Sequence, residues 1–499
     1  MSDKARTAQL AESAAGRNGF AVDIRKVLKD GLGCTNLLPD SWYENILVWA
    51  SWYAGATEFH KYRIFNGRTF VPCMRKTLGM AKKMSEDKAD LLLNEKVEIS
   101  VSRASATSDD GVLQGKLDSV LHRNSFRVLG NQLIEIANAL GTGAIVEYKD
   151  DDTVGIDYIP ATMIFPLSWS KRGVVDCAFA SATTINAKTK RLYISRHIKE
   201  SGQYVVYNNL FDITRNGKYT PVELPGNVLE RWKTGSDAPC FQFITPAIVN
   251  NIDLSNPMGV SIFANSIDLL EAADLAFDSF INEFKLGKKR IFVDGTLLNI
   301  NPTEAQAADG DPFLPLFDIS DTAFYALPFR DGTAGNGKPI EESNMELRIN
   351  DHRLGLQTFL DMLSEKAGFG KGYYRFDVDA MQTATAVVSA NSKLYRNIRK
   401  DGLVVEKALI DMTLAIMRIL GITDELDIGV AFDDSIIEDT DAIAKRAMVE
   451  YNLGLIDAVE YFVRVYKMTE ETAAKFILEM DARKPAATVT EDEAFSPGV

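Results

Sequence analysis

The 39 residues from Thr383 to Gly421, TATAVVSANSKLYRNIRKDGLVVEKALIDMTLAIMRILG, constrain the fold more than any other stretch. They read as one helix with Thr383 as N-cap, spanning ~57 Å if continuous, with Gly402 as the place where it could bend. Two more helices precede it. GVSIFANSIDLLEAADLAFDSFINEFKLG (259–287) sets Phe263, Leu270, Ala273, Phe277, Phe280, Ile281 and Phe284 on one side. Asp268, Glu271, Asp274 and Asp278 gather on another, and Lys285, Gly287, Lys288, Lys289 and Arg290 suit the negative end of its dipole. IEESNMELRINDHRLGLQTFLDMLSEKAG (340–368) carries the apolar stripe Leu356, Phe359, Leu360, Leu363. Between these two helices, 288–337 reads as a small unit with strands in KRIFVDG and DTAFYALPF.

The rest of the chain is mixed. CMRKTLGMAKKMSEDKADLLLNEKVEISV (73–101) starts helical and ends on a strand, Val97 to Val101. LDSVLHRNSFRVLGNQLIEIANALGTGAIVEY (117–148) runs from helix into strand, with Gly141 and Gly143 stopping the helix. VGIDYIP, CAFASATTI, RLYISRHI and GQYVVYNNLF then resemble an antiparallel meander. The region 422–484 has a short strand, DIGVAF, followed by helices, and 485–499 has the composition of a disordered tail. With 499 residues, an α+β chain of two to four structural units is expected.

Charge narrows the function. The net charge is −14, and residues 422–499 hold 18 acids against 7 bases, leaving the remaining body near neutral at −3. A protein that grips DNA by counterion release needs a basic surface, so tight static binding is disfavoured, while contact with sliding DNA stays open. No apolar run approaches the roughly 18 residues of a membrane span, and no secretory signal is expected in the first twenty residues. Cys34, Cys73, Cys177 and Cys240 are widely spaced and read as reduced, buried thiols.

Chemical motifs are sparse. AGFGKGYYRFD (367–377) puts Gly368, Gly370 and Gly372 around Phe369 and Lys371. It fails as a phosphate-binding loop: position 365 is Glu, Lys371 is followed by Gly, and a helix precedes it where a strand is required. Two readings stay open. It is a flexible helix–helix linker, or a mobile finger whose Lys371, Tyr373, Tyr374 and Arg375 touch a phosphate backbone. His60, His122, His197 and His352 have no metal-ligand spacing. GLGCTN (31–36) reads as a loop between helices, and the carboxylate runs at 150–152 and 433–434 as turns. Asp268, Glu271, Asp274 and Asp278 form a solvated face, or line a tube if many copies assemble. No catalytic residue, cofactor or metal is expected.

Four ordered stretches carry a family likeness: KKMSEDKADLLLNEKVEIS, NPMGVSIFANSIDLLEAADLAFDSFINEFKLGKKRIFVD, GYYRFDVDAMQTATAVVSANSKLYRNIRK and VAFDDSIIEDTDAIAKRAMVEYNLGLID. Over roughly 20–480 the chain resembles the portal proteins of tailed double-stranded DNA bacteriophages, the type found in long-tailed phages of Gram-positive bacteria. The resemblance implies a homododecameric ring at one capsid vertex, through which double-stranded DNA enters during packaging and leaves on ejection. It implies a wing over 1–255, stem helices over 256–287 and 338–367 around a clip at 288–337, and a tunnel loop at 368–382. A long helix at 383–421, a crown at 422–484 and the tail 485–499 complete the expected order. Tunnel-loop residues Gly368 to Arg375 would face the channel, the acidic face Asp268, Glu271, Asp274, Asp278 would line it, and the basic cluster Lys285, Lys288, Lys289, Arg290 would lead into the clip. Implied partners are the terminase large subunit, head–tail connector proteins, and the major capsid and scaffolding proteins, with no membrane. Lys371 is the only lysine within 368–382, so a multi-lysine belt is not supported. The alternatives are another ring-forming head–tail connector or a nucleotide-driven motor subunit, the latter without a Walker A motif.

Overall fold

The computed structural model describes residues 24–65, 68–94, 96–103, 110–186, 189–214, 216–226, 228–288, 290–294, 324–327, 340–343, 345–375, 384–432, 440–466, 468 and 470–483. The chain divides into two compact units: residues 1–381 with 396–432, and residues 382–395 with 433–499.

The first unit opens with helix α1 (Asp40–Tyr53), whose Trp42, Tyr43, Ile46, Trp49 and Trp52 are buried. A hairpin follows, β1 (Lys61–Phe65) against β2 (Phe70–Met74). Then come α2 (Met80–Leu92), β3 (Glu98–Arg103), α3 (Asp110–Arg123) and α4 (Phe126–Leu140). Helix α4 buries Phe126, Leu133, Ile134 and Ala137 at helical spacing. It ends at Gly141, whose φ of +87° is left-handed and whose N–H donates to the Ala137 carbonyl. The backbone at Gly259 crosses there so closely that a Cβ on Gly259 would lie 2.2 Å from the Gly141 oxygen.

Strand β4 (Gly143–Asp150) sits between β5 (Thr153–Pro160) and β12 (Phe241–Ile244) in a three-stranded sheet. The pairing runs from Gly143↔Pro160 to Asp150↔Thr153, so the segment 154–160 belongs with β4 and not to the meander expected for it. The meander itself is β6 (Ile164–Ser170), β7 (Gly173–Asn186), β8 (Thr189–Glu200), β9 (Gln203–Thr214) and β10 (Tyr219–Val222), with β11 (Arg231–Lys233) also on β9. Ile164, Phe165, Leu192 and Ile194 are all fully buried, Ile164 on the face opposite to Phe165. Buried His197 is edge-on to Phe179 and Phe241, and burial holds its pKa down at about 3. Cys177 and Cys240 are buried as expected, whereas Cys34 and Cys73 are only half-buried.

Helix α5 (Ile267–Leu286) packs along α6 (Ile349–Ala367). Each is shorter than the sequence suggests. Residues 259–263 are captured before they can coil, and Ala264–Ser266 form only a 3-10 turn: the Ile262 N–H and the Ser261 hydroxyl both donate to the Asn138 carbonyl at the end of α4. At the other boundary, 340–343 is a strand. It is β15 (Ile340–Ser343), antiparallel to β13 (Arg290–Asp294), which also pairs in parallel with β14 (Phe324–Leu327). The strands expected within 288–337 are thus present; the remainder of that segment lies outside the described residues. Exit and return of this excursion are stapled together. Arg348 donates from its backbone N, Nε and Nη2 to the Glu283 carboxylate at 2.8–3.1 Å, holding Glu283 down at about 2.

The long helix is α7 (Ala384–Ile419), 36 residues or ~54 Å. It contributes to both units, and its expected cap Thr383 lies outside the described residues. Strand β16 (Leu426–Ala431) returns to pair antiparallel with β3, Ile428 opposite Val101. The second unit contains α8 (Thr440–Asn452), α9 (Ala458–Tyr466) and α10 (Glu470–Arg483), with Phe462 edge-on to Phe476 between the last two.

Glu147, on β4, is fully buried, and burial raises its pKa well above the carboxylate range; nearby Asp411 adds to the effect. The folded state therefore holds a proton that the unfolded chain releases near pH 4.5. Stability from this group is complete below that pH and falls as pH rises toward the folded pKa, by at most about 1.4 kcal/mol per pH unit. Glu147→Gln is expected to remove this slope and to raise the melting temperature more at pH 8 than at pH 5, measured by calorimetry at both.

Candidate functional site

The candidate site is built on α5, α6 and the turn that follows α6. That turn begins as a helix cap. The Gly368 N–H donates to the Glu365 carbonyl and the Phe369 N–H to the Ser364 carbonyl, the paired bonds of a Schellman motif. Gly368, Gly370 and Gly372 all have φ near +80 to +90°, which explains why glycine stands at each. The Asn397 amide on α7 donates to the Gly368 carbonyl at 2.8 Å.

The aromatic residues fold back on the protomer. Phe369 is 3% exposed and stacks on Tyr373 with ring centroids 4.7 Å apart, while Tyr374 lies edge-on to Tyr373 at 4.9 Å. The Tyr374 hydroxyl donates to the Asp87 carboxylate on α2 at 2.9 Å, and Gln357 on α6 donates to the Tyr374 carbonyl at 2.8 Å. Burial and Asp87 push the Tyr374 phenol up, and burial with Asp87 and Asp90 raises Tyr373 to about 12. In this conformation the Phe369 and Tyr374 rings pack against the protomer. Lys371, Tyr373 and Arg375 remain exposed, and the Arg375 guanidinium lies over Gly372. The second half of the expected loop, 376–382, lies outside the described residues.

The acidic face divides. Asp268 is exposed and Glu271 half-buried, as a face presented outward requires. Asp274 and Asp278 are buried at 3% and 6% exposure. Asp274 meets His60 Nε2 at 2.8 Å and accepts from the Leu78 N–H at 2.7 Å. Asp278 accepts from the Lys76 N–H at 2.9 Å and from Asn282 at 3.1 Å. These two carboxylates bracket the root of the β1–β2 hairpin within the protomer, which corrects the expectation of four equivalent wall residues. Helical periodicity places four acids on one side; it does not reveal that two backbone donors cover half of that side.

Asp268 and Lys371 come together. Both line a groove of ≈ 1240 Å³ along α5 and α6 with Asp361, Glu365 and Lys366. Three carboxylates beside two lysines leave little net attraction for phosphate. Of the basic cluster, Lys285 and Lys288 are exposed, Arg290 opens β13, and Lys289 lies outside the described residues. The turn at Asp151 joins β4 to β5, with Asp150 paired to Arg123 at 3.3 Å. Among the described residues, no group of His, Cys, Asp and Glu is placed to hold a metal ion. No described helix is long and apolar enough to cross a membrane. The run at 433–434 lies outside the described residues. What sequence reading missed is the partner of the acidic face, segment 60–78, although its run of five bases without an acid between 61 and 76 is a visible signal.

The family profile described as "Phage portal protein, SPP1 Gp6-like" matches residues 40–484. The chain belongs to this phage portal protein family, whose members are non-enzymatic components of the capsid vertex used in DNA packaging. One chain of a solved structure described as "Neck of empty GTA particle computed with C6 symmetry" is similar at 11% identity with a TM-score of 0.40. That alignment covers 77% of this chain and 88% of the other. Comparison with curated proteins returns no match.

Proposed function

We propose that this chain forms a dodecameric portal ring at one capsid vertex, the conduit for DNA on packaging and ejection. The observation that carries the proposal is the family match running in order through residues 40–484. In this reading α5 and α6 are the stem, the excursion 288–337 is the clip, 368–382 the tunnel loop, 1–255 the wing and 422–484 the crown. The clip meets the terminase large subunit during filling and head–tail connector proteins afterwards, while outer surfaces meet capsid and scaffolding proteins. Translocation energy comes from the terminase partner.

Exposed Asp268 and half-buried Glu271 would repel phosphates and keep the channel wall from adhering to DNA. Lys371 supplies a local, exposed counter-charge at the tunnel-loop root. Lys371→Ala is expected to leave ring assembly intact and to change DNA packaging or retention, measured as packaged genome per head and leakage after terminase release. Unchanged packaging and retention would remove Lys371 from the channel role.

A further inference from the structure

The hairpin β1–β2 carries its apolar residues outward. Ile64, Phe65, Phe70, Val71 and Met74 are all exposed, Phe70 at 64%, and the Phe65 and Phe70 rings pair across the ladder at 5.2 Å. An isolated two-stranded hairpin is marginal in water. This one is rigidly mounted: Asp274 and Asp278 hold its root, and the Arg75 guanidinium packs over Phe59 and Tyr62 at 4.7 and 4.6 Å. Residues 61–76 include five bases and no acid.

A second surface of the same unit is inverted in the same way. In the loop 248–254, Ile248, Val249, Ile252 and Leu254 are exposed, the last at 83%, while Asn250 turns inward. Buried Asn250 donates to the Asn256 and Met258 carbonyls and accepts from the Ile252 and Asp253 N–H groups. Asn251 and Asn265 exchange amide hydrogen bonds at 2.9 and 3.2 Å, fixing the loop to the residues just before α5. This loop lies in the stretch 234–284, which has no Lys or Arg; of its seven acids Asp274, Asp278 and Glu283 are bonded within the protomer, and Asp237, Asp253, Asp268 and Glu271 are half-buried or exposed.

A closed ring joins unlike faces of successive copies, so each protomer must carry two different, mutually complementary surfaces. One braced apolar surface here is basic and the other lies in acidic sequence, and opposite charge sets the register of such a contact. We propose that, in the ring, hairpin β1–β2 of one copy docks on the 248–254 loop of a second copy of this chain. The proposal rests on the ring reading above.

The test places benzoylphenylalanine at position 65 or 70 of the full chain and illuminates the assembled particles. The expected product is a cross-linked pair of chains joined to a peptide containing residues 248–254. Rings that form but cross-link elsewhere, or only within one chain, overturn the proposal and leave the ring reading standing. Absence of rings from the unmodified chain overturns both. Independently, Phe65→Ser with Phe70→Ser is expected to raise the concentration for half-maximal assembly about tenfold or more, with the monomer's melting temperature unchanged because both side chains are exposed. A change below about twofold contradicts the docking, by the same hot-spot scale.

Discussion

Asp274→Ala is expected to lower stability by about 2–6 kcal/mol, because a buried imidazole and a part-buried backbone N–H lose their acceptor at about 1–3 kcal/mol each. The donors are the His60 ring and the Leu78 N–H, and His60 is itself 1% exposed. The buried His60 ring has no access to water in place of the carboxylate. Asp274→Asn keeps one acceptor oxygen and is expected to lose less. The damage should be local as well as global, since the bracket holds the root of the hairpin. Trypsin should cut at Arg75 or Lys76 faster in the variant, and the melting temperature should fall. If protease resistance and melting temperature both match the parent protein, Asp274 is not a structural bracket, and a channel-wall role for it returns.

The second large effect concerns Lys88 and Asp401. Their side chains pair at 2.8 Å with only 6% and 7% exposure, and the Ala247 N–H donates to the same carboxylate at 2.7 Å. The pair ties α2 to α7 and to the segment entering the 248–254 loop. Lys88→Met leaves a buried carboxylate without its cation and is expected to cost about 3–5 kcal/mol. The double variant Lys88→Met/Asp401→Leu removes both charges and is expected to recover most of that loss. The residual deficit is the orphaned Ala247 N–H, about 1–3 kcal/mol. Chemical denaturation of the two single variants and the double closes the cycle. A double variant no better than Lys88→Met alone would show that burial of the ion pair is not what the single change disturbs.

Much of the fold was legible because long periodic segments declare themselves. Helices α2, α4, α7 and the cores of α5 and α6 stand where apolar spacing and glycine stops put them. The errors fall where distant backbone intervenes. Residues 259–263 have helical composition, yet the carbonyl of Asn138 captures their N–H and hydroxyl groups. Residues 340–343 read as helix, yet β13 offers them a ladder. Residues 154–160 alternate like the meander strands, and nothing in their own pattern distinguishes a partner in β4 from one in β6. The glycines of 368–372 were legible as a break between helices, but not that they take left-handed turns or that Tyr374 finds its acceptor in Asp87, 287 residues away. Local pattern sets which groups share a face; only tertiary pairing decides whether that face meets water, backbone or a neighbouring chain.

Cryo-electron microscopy of the purified full-length chain, viewed down the particle axis, tests the portal-ring proposal most directly. The expected image is a closed ring of twelvefold symmetry around a central hole wide enough for a DNA duplex. A chain that stays monomeric at high concentration, or closes without a hole, would contradict it.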